Sequence, residues 1–180
     1  MKHRELFVTL AFLLLLTTLP SASAQKPVAD SRIKTALEEI GYKYELTDDN
    51  DYKLVPIQTE QSGNQSNGPP NYRSQLVYIN SNTEKYGSLE IREVLAPAFL
   101  AEPPVSAEIA NKLLRENNST KLGAWRLVPI NSGPNRGKYL AMYAAQINAN
   151  SDAETLRLTI KSVILIADRM EKEVTSKDDY

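Results

Sequence analysis

The chain is expected to fold as an α+β domain, with an antiparallel sheet (a four-strand meander plus a hairpin) flanked by three helices. Three observations predict this. Apolar residues recur every three or four positions in three separate segments, the spacing of one helical face. Between those segments apolar and polar residues alternate with period two, as in half-buried strands. The strand runs are grouped between helices, whereas a parallel sheet would need strands and helices to alternate regularly.

Asp30 or Ser31 is the expected cap of the first helix, because a short side-chain oxygen there accepts from an otherwise unpaired amide. Ile33, Ala36, Leu37 and Ile40 form its apolar face, and Gly41 stops it. Tyr42, Tyr44 and Leu46 then alternate with Lys43 and Glu45 in a strand. The turn at 48–51 leads into a second strand over 52–57. Residues 59–71 are Gln, Ser, Asn, Gly, Thr, Glu and Pro, with nothing to bury, so a flexible loop is expected at about 59–72.

Strand character resumes over 74–80 with Leu76, Val77, Tyr78 and Ile79. After a turn at 82–85, Leu89, Ile91 and Glu93 alternate with Glu90, Arg92 and Val94. Pro97, Pro103 and Pro104 predict an irregular connection across the domain, since proline has no N–H to give a ladder. Ser106 caps the second helix, whose buried stripe is Ile109, Ala110, Leu113 and Leu114 and whose end is Asn117-Asn118. The runs 121–130 and 138–147 form the hairpin, joined by a turn containing Gly133, Pro134 and Gly137. Ser151 and Glu154 match a capping box. Leu156, Ile160, Val163, Ala167, Met170 and Val174 follow at helical spacing, widened by Ile164 and Ile166, so this last helix is expected to lie across the sheet and supply most of the core.

Ahead of the domain, Lys2, His3 and Arg4 precede an apolar run at 6–16 broken only by Thr9, and Ala22-Ser23-Ala24 offers small residues for cleavage. This reads as a secretory signal peptide at 1–24. A membrane span needs about 20 apolar residues, and Thr17, Thr18 and Pro20 interrupt this run too early. Residues 25–180 make a single domain long enough to bury a substantial core. The expected location is the bacterial periplasm or the exterior, with no membrane association after cleavage. With no cysteine, the chain carries neither a lipid anchor nor disulfides, and packing alone must stabilise it. Twenty-one basic and 22 acidic residues leave a formal net charge of −1, which gives no electrostatic reason to expect nucleic acid as a partner.

The one histidine, His3, belongs to the leader, so the mature chain lacks the side chains behind most metal, thiol and triad chemistry. No catalytic residue, metal site or cofactor is expected. Asp48, Asp49 and Asp51 lack the glycine of a calcium loop, since Leu54 stands at the sixth position counted from Asp49, and they read as a turn. Gly133 and Gly137 lack the Lys-Ser/Thr ending of a phosphate loop. Ser162 follows Lys161 within a helix of core neighbours and reads as no nucleophile. Glu90 with Glu93, or Glu38 with Glu39, are the pairs on which a carboxylate-dependent hydrolase would rest, the third-ranked function. Asn64, Asn117 and Asn118 begin glycosylation patterns that matter only in a eukaryotic secretory route.

Aromatic residues are the more informative set. Tyr78, Trp125, Tyr139 and Tyr143 are the candidate binding surface if they gather on one sheet, where rings with a polar tip suit recognition. The alternative is that they complete the core. Arg126 is expected to face away from Trp125 and Leu127.

Ile40-Gly41-Tyr42 at the first helix end, the meander, Leu113-Leu114 with Asn117-Asn118, Leu122-Gly123-Ala124-Trp125 and Ile166-Ala167-Asp168-Arg169-Met170 together resemble the YbjN family, whose fold is similar to type III secretion chaperones. The likeness runs from about 28 to 174. It implies a helix-flanked antiparallel sheet, often dimeric, that binds other proteins and has no catalytic residues to carry over. The expected function is therefore non-enzymatic and chaperone-like, with a protein partner or a second copy. A small-molecule or glycan-binding module using the surface aromatics is the alternative.

Overall fold

Short oxygen-bearing side chains start all three helices of the computed structural model, which describes residues 28–60, 72–177 and 179–180. The signal peptide expected at 1–24 and residues 61–71 of the expected loop lie outside the described residues. Asp30 caps α1 (Ser31–Ile40) by accepting from the Arg32 amide, Ser106 caps α2 (Ala107–Ser119) through Ile109, and Asp152 caps α3 (Ala153–Thr175) through Thr155. The capping-box expectation was therefore one residue early: the Ser151 amide closes a turn onto the Asn148 carbonyl at 2.9 Å, and the next side chain does the capping. Gly41 stops α1 with a φ of 75°, the left-handed conformation that glycine adopts without strain.

The strands are β1 (Tyr44–Leu46), β2 (Tyr52–Glu60), β3 (Tyr72–Ile79), β4 (Glu84–Tyr86), β5 (Leu89–Ala101), β6 (Ala124–Pro129) and β7 (Tyr139–Asn148). They form one seven-stranded antiparallel sheet in the order β1-β2-β3-β5-β7-β6, with β4 pairing on β5. With its three helices the domain is α+β. The hairpin β6–β7 is not a separate unit, because β7 pairs along β5 from Ile91↔Asn148 to Ala101↔Tyr139.

The irregular connection expected from Pro97 is corrected. β5 runs through Pro97 to Ala101, with a bulge between Pro97 and Phe99. A proline is tolerated because one side of β5 keeps its ladder to β7 while the other has stopped pairing: β3 meets β5 only at Tyr78↔Leu95 and Ile79↔Val94. The Gln75 side-chain amide donates to the Pro97 carbonyl at 2.6 Å, replacing the backbone bond that a continued ladder would have made.

All three helices lie on one face. α3 packs on β3, β5 and β7, α1 packs on α3, and α2 packs on β6. Lys112 to Glu173 at 2.7 Å and Arg169 to Glu116 join α2 to α3. The inward positions are Tyr52 and Leu54 on β2, Val77 and Ile79 on β3, Val94 and Ala96 on β5, and Ala141, Tyr143 and Ala145 on β7, all buried in one cluster with Ile33, Leu37, Ile160, Val163 and Ala167. The small side chains of β5 and β7 let α3 come close, so the bulk of the core is supplied by the helix.

Gly123 precedes β6 with a φ of 86°, and a Cβ there would lie 2.2 Å from the Ala144 carbonyl oxygen. Both the conformation and the lack of space exclude a side chain. Gly123→Ala is expected to cost about 2 kcal/mol or more, read in urea unfolding by Trp125 fluorescence; a loss below about 0.5 kcal/mol would contradict this packing.

Candidate protein-recognition face

The period of a strand sends neighbouring side chains to opposite faces, so the four aromatic candidates divide by position. Trp125 and Tyr143 face the helices. They pair across β6 and β7 with ring centroids 5.5 Å apart in a T-shaped contact, and only 6% of Trp125 is exposed. The Tyr143 hydroxyl donates to the Leu122 carbonyl, and the Trp125 amide donates to Asn117 Oδ1 at 2.6 Å, holding α2 against β6. Tyr139 lies two and four residues before Ala141 and Tyr143, on the same helix-covered face, and packs at the edge of the core. Only Tyr78 lies on the other face. The expectation of one aromatic binding surface is corrected: three of the four rings serve the interior, because α2 and α3 cover the face they point to.

The helix-free face has a different composition. Tyr78 pairs with Leu95, Leu95 with Ala144, Pro97 with Met142, and Met142 with Arg126, which places these residues on one side of four neighbouring strands. Leu76 and Leu140 extend the patch at either end. Pro97 and Ala144 are buried and the others half-buried, and Leu76, Tyr78, Leu95, Pro97, Leu140 and Met142 line a cavity of about 300 Å³ together with Asp51, Asn80 and Tyr180, beyond α3. Arg126 does face away from Trp125, and it pairs there with Glu93, which also accepts from Gln146 Nε2 at 3.1 Å. The Arg126 guanidinium holds the Glu93 carboxyl below its usual range. An apolar patch rimmed by a paired polar group is the makeup of an interaction surface. Its signal in the sequence was present: 76–79 and 139–145 are apolar at successive positions, as a strand covered or contacted on both faces requires.

The second concentration of chemistry is polar. Arg92, 3% exposed, donates to Asp30, and Arg32 bridges Asp30 at 2.6 Å and Glu90 at 2.7 Å while reaching Asn150 Oδ1 at 2.6 Å. The Asp30 amide donates to Ser81 Oγ at 3.2 Å, and the Tyr52 hydroxyl donates to the Asp30 carbonyl at 3.0 Å. This network fixes the start of α1 to β5 and to the turn before α3, beside a shallow crevice of about 370 Å³. The buried role of Arg92 was not anticipated. A charge so enclosed is stable only with its partner in place.

The carboxylates considered for hydrolysis do not converge in a cleft as two buried groups. Glu90 serves Arg32 on the helix side, Glu93 serves Arg126 on the opposite face, and Glu38 and Glu39 are exposed on α1, Glu38 lying 3.8 Å from Lys34. Among the described residues no group of three or more His, Cys, Asp or Glu side chains is arranged to hold a metal ion, and no helix is long and apolar enough to cross a membrane. Compared with protein-family models, with curated proteins and with solved structures, the chain finds no match.

Burial raises the Asp30 pKa, but hydrogen bonds from Arg32 and Arg92 outweigh it and hold the carboxyl down at about 2; the Arg32 hydrogen bond and Thr83 hold Glu90 at about 2. Both groups are lowered from unfolded values of 3.8 and 4.5, so their contribution is complete above those values and lost as pH falls toward about 2. Urea midpoints of the wild type are expected to drop steeply over that window. In Asp30→Asn the drop is shallower and the midpoint at neutral pH is lower; an unchanged acid limb would contradict the network.

Proposed function

We propose that this chain is an exported, non-enzymatic protein-recognition domain of the YbjN type, with a chaperone-like role, and that it meets its partner through the helix-free face of the sheet. The observation that carries this reading is the continuous apolar stripe formed by Leu76, Tyr78, Leu95, Leu140 and Met142 on the face opposite all three helices. Burying such a side chain fully is worth about 1.5–3 kcal/mol, and these half-buried residues leave a part of that gain to a partner that covers them. On the outer helical surface Leu114 of α2 and Leu158 and Leu165 of α3 are exposed, with Lys161 between the last two. Export rests on the leader pattern at 1–24, and the partner is another polypeptide or a second copy.

The glycan alternative loses its platform, since Trp125 and Tyr143 stack on each other beneath the helices. The hydrolase reading finds its carboxylates paired with arginines or exposed to solvent on α1.

A photo-crosslinking residue at position 140, compared with one at position 165, tests the reading in cells that produce the chain. Adducts to a discrete polypeptide are expected from position 140 and absent from 165, with Met142→Arg abolishing them. Adducts from 165 alone, or a bare monomer at both positions, would overturn it.

A further inference from the structure

α3 ends in a strained hinge. Ser176 caps the helix with a φ of 59° and a ψ of 18°, while its amide donates to the Lys172 carbonyl at 3.0 Å. A serine held in this left-handed conformation costs free energy, because its Cβ crowds the following carbonyl oxygen. That cost disappears when the backbone returns to negative φ, so the turn back toward the sheet is maintained by what lies beyond the hinge.

Two anchors lie there. The Asp179 amide donates to the Glu171 carboxylate, fully buried on α3, at 2.6 Å, and the Tyr180 carbonyl oxygen lies 3.5 Å from the Ser74 hydroxyl of β3. Tyr180 is half-buried and forms one wall of the cavity on the helix-free face, whose other walls include Leu76, Tyr78, Leu95, Leu140 and Met142. Those five residues are the apolar stripe. The chain after α3 therefore leaves the helix layer and sets an aromatic side chain of its own beside the stripe. Asp179 and Tyr180 belong to no helix or strand, and a segment held by so few contacts against a strained hinge opens locally while the domain stays folded.

We propose that the segment from Ser176 to Tyr180 is a strap that closes one side of the recognition face, and that a partner gains the face when the strap swings away at Ser176. This rests on the protein-recognition reading above and adds its regulation: Tyr180 and the partner compete for the same apolar side chains. The affinity of any ligand for the cavity is then reduced to the fraction of molecules whose strap is open.

The test titrates the full chain with the hydrophobic dye bis-ANS, which reports on the cavity with no partner present. Two variants open the strap in different ways. Tyr180→Ala removes the ring, whereas Ser176→Pro keeps the ring but fixes φ at about −65°, which excludes the closed hinge. Each is expected to bind the dye about threefold or more tightly than the wild type, the factor for a strap closed in about two-thirds of molecules or more. Tyr180→Phe, which retains the ring, stays at the wild-type affinity, and adding Met142→Arg to Tyr180→Ala removes the gain. Unchanged affinity in either opening variant, or a gain that survives Met142→Arg, would overturn the strap. Should the variants fail to fold, nuclear Overhauser contacts in the wild type decide: the Tyr180 ring must approach the methyl groups of Leu95 or Met142, and their absence overturns the assignment. The two readings fail separately. Crosslinks from position 140 with unchanged dye affinity would remove the strap and leave the recognition face; a gain in dye affinity without crosslinks would do the reverse.

Discussion

Contact between α3 and the alanine-rich centre of the sheet is the constraint on which the rest of the structure depends. Ala96 on β5 and Ala141 and Ala145 on β7 leave room for Ile160, Val163, Ile164 and Ala167 to approach closely, and these residues join the single buried cluster. α1 and α2 then dock beside α3, through Ile33 and Leu37 on one side and through Leu113 with two ion pairs on the other. Once three helices share one face, the opposite face is left with the alternate side chains of the same strands. Those strands are apolar at successive positions, so the second face is apolar as well. The recognition reading is a consequence of where the helices went.

The two polar features of the molecule follow from the same arrangement. α1 must be held at its start to keep Ile33 and Leu37 in the core, and Asp30 does this while also capping the helix and neutralising buried Arg92. One carboxylate thus joins local helix chemistry to a strand far away in sequence. At the other end of β5, Pro97 ends the ladder to β3 and leaves Gln75 and Ser74 to meet other groups. The start of α1 is thus locked to β5, and the segment after α3 reaches β3 at Ser74. The recognition we propose is placed on the helix-free face, where the apolar cavity lies.

How far the fold was legible in the chain depended on the range of the interaction concerned. The cap at Ser106, the stop at Gly41 and the stripe of α3 are local and were read correctly from spacing, and Asp30 is one of the two caps the sequence offered for α1. The shift from Ser151 to Asp152 at the start of α3 came from two adjacent acceptors, between which the exit of the chain from β7 decides. β5 was cut short because the proline rule is local, whereas β7 holds the strand through a ladder that neighbouring residues do not reveal. Arg92 was hidden because its partner, Asp30, is 62 residues away. Alternation showed which aromatic rings share a strand face, but the side the helices would cover is set by tertiary packing, so Trp125, Tyr139 and Tyr143 turned inward and only Tyr78 remained on the open face.

A surface kept for recognition differs from a second core in what its removal does to stability. Equilibrium urea unfolding of Leu140→Thr, set beside Val163→Thr, measures that difference directly. The account predicts a loss of about 1 kcal/mol or less for Leu140→Thr and of about 2 kcal/mol or more for Val163→Thr. Equal losses at the two positions would mean that the helix-free face is held as interior, and would contradict its assignment to a partner.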